Sequence, residues 1–369
     1  MSNKTSRITI FLGFFGGGGI ERITANLAHG FVKSGIEIDL LHTNQESPHL
    51  WRLPSETRII NLKTATTYKT LPGIVSYLRQ ESPSAFLSAS HFMNEISLLA
   101  KIISSSQTRL IVAEHNHLSK TTSNATLRDR LAPVFSRLLY PWADGIVAVS
   151  DGVAKDLAQT AHLPLDKIQT IYNPVITKEI LAGAKEPVEH PWLTAKECPV
   201  ILGVGKLEAQ KDFPNLIRAF AQVRAVQEAR LIILGWGPDR EKLEALIKEM
   251  NLEEYVDLPG YTQNPYAYMA NASVFVLSSA WEGLPTVLIE AMALGTPVVS
   301  TDCESGPSEI LANGKYGHLV PVSDSKALGD AILQVLSGNS KSVDSSWLEQ
   351  FTLETATQKY LNILGFAPN

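Results

Sequence analysis

The residues of this sequence best placed to do chemistry are two glutamates, Glu282 and Glu290, with seven residues between them in "EGLPTVLIEAMALGTPVVS". The preceding run "SVFVLSS" reads as a strand and residues 280–284 as a loop. Pro285 suits a first helical turn, where its missing N–H costs nothing. The helix then runs to Leu294, with Gly295 as C-cap and Pro297 beyond it. Glu282 therefore stands in a loop at a strand's carboxyl end, and Glu290 near the middle of the helix. Around Gly283, Leu284, Pro285, Thr286 and Val287 the free backbone N–H groups of the residues other than proline and the helix dipole form an anion site. A solvated loop charge and a solvated helix residue are the plain alternative. But Glu290 lies between Ile289 and Ala291 in an otherwise uncharged helix, where a charge needs a partner. Two carboxylates around an anion site suit a ligand with hydroxyls at both ends and a diphosphate in the middle, as in a nucleotide-sugar.

Three other stretches carry candidate chemistry. "GFFGGGGIER" at 13–22 is a glycine loop between a strand and a helix. A dinucleotide fingerprint fails there, because the G-x-G-x-x-G registers from Gly16 and Gly17 end on Glu21 and Arg22, although Asp39 follows at a plausible distance for a ribose contact. Close backbone approach to a ligand at Gly18 and Gly19 is the better reading, against a flexible turn. "AEHNHLS" at 113–119 ends another strand and offers His115 first and Asn116 second. "SNATLRDRLAPVFSRLLYPWADG" at 123–145 reads as an amphipathic helix: Leu127, Leu131, Val134, Leu138 and Leu139 share one broad face, and Arg128, Arg130 and Arg137 lie largely off it. Such a basic helix with terminal aromatics can rest on an anionic membrane or grip a lipid pyrophosphate. The competing reading is a domain helix with a solvated basic face. No D-x-D occurs anywhere, so no metal site is expected.

The elements that must position these residues alternate. Short, continuous apolar runs ("RITIFLGFF", "IEIDLLHT", "AFLSAS", "RLIVAE", "GIVAVS", "IQTIYN", then "PVILGVG", "RLIILG", "VDLPG", "SVFVLSS", "PVVST", "GHLVP") are separated by amphipathic helical segments. Continuous rather than alternating apolar strands mark parallel sheets covered by helices on both faces. The rhythm occurs twice, and the charged, proline-bearing break at 177–198 reads as a linker. The expected organisation is therefore α/β: a Rossmann-like domain over 1–176, the linker, a second Rossmann-like domain over 199–345, and a C-terminal helical segment, 346–369, that packs back on the first domain. In such sheets ligands bind beyond the strands' carboxyl ends, so two such domains facing each other across a cleft would converge on one ligand.

The composition bounds the rest. With 369 residues, 44% hydrophobic and 19% charged, the chain suits two globular domains with sizeable cores. No apolar run approaches the ~18 residues of a spanning helix. The apolar start lacks a usual cleavage site and leads into a helix pattern, so it reads as a strand and not a signal peptide. Cys198 and Cys303 stand far apart, which fits a reducing cytoplasm without disulfides or zinc. The net charge of −5 divides into +4 over residues 1–180 and −9 over the rest. A basic half suits an anionic partner or the inner membrane face, or is ordinary scatter of surface charge. Nucleic-acid binding is not expected of a net-negative chain without a basic–aromatic module.

"EGLPTVLIEAMALGTPVVS" resembles the E-x7-E signature of retaining family-4 glycosyltransferases with the two-Rossmann GT-B fold, and the likeness covers nearly the whole chain. "GGGGIERITANLAHGF" resembles their N-terminal glycine loop, and "VAVSDGVAKDL" and "IYNPV" the end of their first domain. "GVGKLEAQKDFPNLIRAFAQV" resembles their basic donor loop, and "LIILGWGPDREKLEALI", with Gly235, their nucleotide-side loop. "STDCESGPSEIL" looks most like members that extend bacterial lipid-linked oligosaccharides with N-acetylhexosamines. The resemblance implies that Glu290 holds the ribose hydroxyls and Glu282 faces the donor sugar and its anomeric carbon. It implies that Lys206 and Lys211 neutralise the diphosphate leaving group, the fixed positive charge such a reaction needs. Lys206 stands where the family more often has arginine. Gly18 and Gly19 would then lie near diphosphate and acceptor, His115 beside the donor sugar, and Tyr261 and Asn271 near the base.

The expected function is retaining, metal-independent transfer of a hexose or N-acetylhexosamine from a UDP-sugar, the donor substrate, to a hydroxyl of a glycan or glycolipid acceptor. No cofactor is expected. The expected place is the cytoplasm, with peripheral contact at the membrane. A nucleotide-sugar epimerase of the same shape would need an acidic cluster in the first domain, for which Glu114 is the nearby candidate. A non-catalytic nucleotide-sugar-binding scaffold would have less reason to keep both glutamates and both lysines.

Overall fold

The apolar runs form strands buried on both faces, as parallel sheets between helix layers require. A computed structural model describes residues 6–13, 19–43, 50–64, 67–119 and 127–366, with backbone alone at 67–68 and 127–129. The chain divides into two units. One runs to Val175 and is joined by the chain from Gln350 onward; the other is Ile176–Glu349.

In the first unit, β1 (Arg7–Phe11), β2 (Glu37–His42), β3 (Arg58–Asn61), β4 (Ala85–Ser88), β5 (Arg109–Glu114), β6 (Gly145–Ala148) and β7 (Ile168–Thr170) pair in the order β3-β2-β1-β4-β5-β6-β7. The second holds β8 (Val200–Val204), β9 (Arg230–Leu234), β10 (Val256–Gly260), β11 (Val274–Leu277), β12 (Val298–Thr301) and β13 (His318–Val320), ordered β10-β9-β8-β11-β12-β13. Every described ladder is parallel. Both sheets are thus doubly wound. Each has its switch in chain direction between neighbouring strands, β1 with β4 and β8 with β11, where ligands of such sheets bind. Strand β3 is absent from the apolar runs of the sequence. Its residues "RIIN" are exposed or half-buried at the sheet edge, so it lacks the pattern that marks its neighbours.

Helices α1 (Gly19–Lys33), α2 (Leu71–Glu81), α3 (His91–Ser104), α4 (Leu127–Leu139) and α5 (Asp151–Thr160) connect the first sheet. Helices α6 (Phe213–Val226), α7 (Arg240–Glu249), α8 (Pro265–Asn271), α9 (Thr286–Ala293) and α10 (Ser325–Leu336) connect the second. The segment expected as a linker is instead folded onto the second unit. It carries short helices at Lys178–Gly183 and Pro191–Ala195. Asn264 Nδ2 donates to the Gly183 carbonyl at 2.9 Å, and His190 Nε2 lies 3.1 Å from Asp257 Oδ2. Pro191 starts the second of these helices and the charged residues lie at the surface, while Ile180, His190 and Leu193 are buried. Trp347 Nε1 donates to the Ile310 carbonyl at 2.8 Å, so the return to the first unit begins near Gln350 and not at 346. Beyond it, α11 (Leu353–Leu364) packs on α1 at Gly30, where an added Cβ would sit 2.0 Å from Thr357 Oγ1. Arg109 Nε donates to the Ile363 carbonyl at 2.6 Å.

Candidate functional site

Strand β11 ends at Leu277, and the chain bends through Ser278–Trp281 before α9. Glu282 lies in this loop, and it is buried, with 6% exposure. Burial of a carboxylate demands partners, and the loop after β8 supplies them. Lys211 Nζ lies 2.5 Å from Glu282 Oε1, and Ser279 Oγ donates to the same oxygen at 2.7 Å. Gln210 Nε2 reaches Glu282 Oε2 at 3.4 Å and the Trp281 carbonyl at 3.0 Å. The backbones are laced as well: Ala280 N–H donates to the Gln210 carbonyl at 2.8 Å and Ser278 Oγ to the Lys211 carbonyl at 2.7 Å. The Lys211–Glu282 pair therefore occupies the carboxyl ends of β8 and β11, the switch point of the second sheet.

Glu290 follows in α9 and is fully buried, so it is not a solvated helix charge. The helix begins at Thr286, with Pro285 as its N-cap and not its first helical residue. Gly283, Leu284 and Pro285 are buried, whereas Thr286 and Val287 are half-buried at the helix start. The loop after β12 closes on this turn. Gly306, at φ +88°, leaves no room for a Cβ, which would stand 2.3 Å from Pro285 Cδ. Thr301 Oγ1 donates to the Ser279 carbonyl at 2.6 Å. Cys303 is buried beside Glu282, and burial pushes its thiol up to about 12, so it stays an inert thiol.

Lys206, two residues past β8, is half exposed. Its Nζ lies 2.8 Å from Glu208 Oε2 and 5.8 Å from the Trp236 ring centre. The two lysines therefore differ: Lys211 is committed to Glu282, and Lys206 to a surface carboxylate and an exposed indole. Gly235, at φ +147°, is required by close approach of the neighbouring loop, since a Cβ would sit 1.8 Å from the Gly205 carbonyl oxygen. Its N–H donates to the Gly260 carbonyl at 2.8 Å, which places Trp236 and Tyr261, both exposed, just past the ends of adjacent strands. Asn271 is half-buried at the end of its helix. Its Nδ2 bonds the Ala267 carbonyl of its own helix at 2.9 Å.

The first unit presents its candidates at the carboxyl end of β5. His115 is part-buried, yet packing around the ring pushes its pKa down to about 4, against the pull of the adjacent Glu114, so the imidazole is neutral at pH 7. Asn116 is exposed, and His117 is buried against Asp156 at 3.5 Å. Of the two histidines, His115 is therefore the available one. Gly19 opens α1, and a Cβ there would meet nothing within 4 Å, so packing does not require glycine at that position. Gly18 and the Arg128 side chain lie outside the described residues.

Sequence reasoning missed a buried polar cluster behind His115. His91 Nδ1 lies 2.9 Å from Glu114 Oε1, Asn94 Nδ2 donates to that oxygen at 3.0 Å, and Tyr140 OH donates to it as well. His91 Nε2 stands 3.4 Å from Glu95 Oε1. The two carboxylates overcome the desolvation of the ring and raise His91 to about 10, while His91 and its neighbours hold Glu114 below the usual carboxylate range. Glu114 is thus bound within the protein and is not the open acid–base group an epimerase would need. Asp39 is likewise removed from any ribose. It is the third residue of β2, buried between Arg58, with bonds of 2.8 and 2.6 Å, and Tyr77 OH.

Comparison with known proteins agrees with this geometry. The profile described as "Glycosyltransferase Family 4" matches residues 17–179, and that described as "Glycosyl transferases group 1" matches 185–346. The chain is 32% identical, over 89% of its length and 90% of the relative's, to the N-acetylgalactosamine-N,N'-diacetylbacillosaminyl-diphospho-undecaprenol 4-alpha-N-acetylgalactosaminyltransferase of Campylobacter jejuni. Among solved structures, it superposes on the lipopolysaccharide outer core galactosyltransferase WaaB in its apo form with TM-score 0.76 and 23% identity, covering 97% of this chain and 99% of that one. Anabaena HepE in complex with UDP and glucose gives TM-score 0.78 at 17% identity, covering 98% and 99%. Two parallel Rossmann-like sheets, a buried E-x7-E pair at the second switch point and these matches together make the chain a member of the family-4, group 1 glycosyltransferases, with the GT-B architecture.

Proposed function

We propose that this glycosyltransferase moves a hexose or N-acetylhexosamine from a UDP-sugar to a hydroxyl of a lipid-linked glycan, with retention and without a metal, at the cytoplasmic face of a membrane. The observation that carries the reading is the buried Lys211–Glu282 pair at the switch point, with Glu290 buried about one turn into the helix that follows. Cleavage of the sugar–phosphate bond leaves positive charge on the anomeric carbon and negative charge on the departing diphosphate. Glu282 supplies the negative group for the first. Lys206, the start of α9 and Lys211, once drawn from Glu282 by the diphosphate, supply positive charge for the second. Glu290 accepts the ribose hydroxyls. Neutral His115 donates a hydrogen bond to a sugar hydroxyl. Retention is favoured by the product named for the Campylobacter relative, an α-glycoside, because UDP-hexoses of this kind are themselves α-linked. A lipid-linked acceptor is favoured by the diphospho-undecaprenol in the same name.

The test is a donor screen: binding and slow hydrolysis of a panel of nucleotide-sugars by the purified chain, beside Glu282→Gln and Glu290→Gln. One UDP-sugar should bind and be hydrolysed. Glu290→Gln should weaken binding, and Glu282→Gln should lower hydrolysis at least about a hundredfold. Binding of no nucleotide-sugar would overturn the reading, and binding without any hydrolysis or transfer would favour the non-catalytic scaffold.

A further inference from the structure

Helix α4 turns its apolar stripe outward. At about 100° per residue, Val134, Leu138, Leu131 and Phe135 share an arc about 100° wide, and all are exposed, Leu138 at 61%. Trp142, one turn beyond the helix, continues the stripe at 62% exposure. By its sequence pattern alone this face would be the helix's packing side. Instead Ala132, Ser136, Leu139 and Tyr140 point inward. The neighbouring α3, which contacts α4, also carries exposed Leu99, Ile102 and Ile103. Folded proteins seldom leave so many large aliphatic and aromatic side chains together in water without a use for them.

The described charges bordering the stripe on α4 are arginines, and the carboxylate past its end, Asp144, is ion-paired with Lys101 of α3. Arg130 and Arg137 border the arc and are exposed, and Arg79 Nη2 donates to the Ile103 carbonyl at 3.0 Å, at the α3 end. Neither α3 nor the described part of α4 carries an exposed carboxylate, since Glu95 is buried. An apolar stripe ending in tryptophan and edged by arginines complements an anionic lipid surface: aliphatic groups enter the acyl boundary, the indole sits at the interface, and guanidinium groups meet phosphates.

We infer that the outward face of α4, with the end of α3 beside it, docks on an anionic bilayer, with Leu131, Phe135, Leu138 and Trp142 inserted and Arg130 and Arg137 at the headgroups. The inference deepens the proposed lipid-linked acceptor but stands on the exposed stripe itself.

The test is sedimentation of the full chain with phosphatidylethanolamine–phosphatidylglycerol vesicles and with phosphatidylcholine vesicles. The chain should bind the anionic vesicles, and Trp142 emission should shift to the blue, a shift absent in Trp142→Phe. Phe135→Ser with Leu138→Ser should lower the partition coefficient at least about tenfold. Both side chains are exposed, so folding and donor binding should be unchanged. Arg130→Gln with Arg137→Gln should weaken binding to anionic vesicles about tenfold or more and reduce its salt dependence. No vesicle binding, serine variants that bind like the parent, or a dimer in light scattering that the serine pair dissolves would each overturn the inference. If vesicles bind while no nucleotide-sugar does, the docking surface stands and the transferase reading falls. If a nucleotide-sugar binds while vesicles do not, the docking surface falls and the transferase reading stands.

Discussion

Lys211 and Glu282 offer a way to separate holding the site together from working in it. The pair is 2.5 Å apart, with 16% and 7% of the side chains exposed. Removing the lysine leaves a buried carboxylate whose remaining partners are Ser279 Oγ at 2.7 Å and Gln210 Nε2 at 3.4 Å. Breaking a buried pair costs ~3–5 kcal/mol, and these two donors place Lys211→Met at the low end, about 3 kcal/mol. For a unit of this size that lowers Tm by roughly 6–12 °C. Replacing both partners, Lys211→Met with Glu282→Gln, removes charge and counter-charge together and should return stability to within about 1 kcal/mol of the parent. Activity should not return: transfer or donor hydrolysis per folded molecule should stay down at least about a hundredfold in both variants. Calorimetry of the four proteins of the cycle, with single-turnover donor cleavage on each, reads both quantities. Stability losses that simply add in the double variant would refute the coupling. Undiminished cleavage per folded molecule would refute the catalytic role.

Two further outcomes follow from the first unit. His91, raised to about 10 between Glu114 and Glu95, favours the folded state fully below its unfolded pKa of ~6.5, and this contribution is lost as pH rises towards 10. Urea midpoints should therefore show the stability gap between the parent and His91→Gln shrinking from pH 7 to pH 10, and a constant gap would contradict the buried imidazolium. Gly30→Ala should destabilise by ~1–3 kcal/mol, because its Cβ would stand 2.0 Å from Thr357 Oγ1. Adding Thr357→Ala should restore most of the loss in thermal unfolding, and no recovery would contradict the α1–α11 contact.

Much of the fold is legible because buried parallel strands must be continuously apolar. Runs such as "RLIIL" and "VFVL" declare themselves without knowledge of their neighbours. The edge strand β3 does not, since one partner and an exposed face permit "RIIN". The glutamate pair is legible for a similar reason: a carboxylate amid apolar helix residues has no cheap place except a ligand or a buried partner. What holds Glu282 is not legible. Gln210 and Ser279 are ordinary polar residues, and only the pairing of β8 with β11 brings residue 210 beside residue 282. The close approaches at Gly235 and Gly306 are hidden in the same way, because what they meet, the Gly205 carbonyl and the Pro285 ring, comes from loops remote in sequence.

Helix α4 shows why periodicity locates a face without saying what covers it. Its leucine stripe would ordinarily be the inward one. The ground beneath this helix, however, is polar: His91, Asn94 and Glu114 converge there with Glu95 beside them, and Tyr140 OH completes the bonds of Glu114. A leucine in the place of Tyr140 would leave the buried Glu114 carboxylate without a hydroxyl that bonds it and would cost several kcal/mol. The inward positions are taken by small Ala132 and Ser136, by Leu139 and by the phenol of Tyr140, while Leu131, Val134, Phe135 and Leu138 face outward. The buried imidazolium cluster and the exposed apolar stripe are two sides of one arrangement. A variant that turned the cluster apolar, His91→Leu with Glu95→Leu and Glu114→Leu, should therefore let α4 rotate its stripe inward and lose vesicle binding, although none of the three residues lies on the docking face.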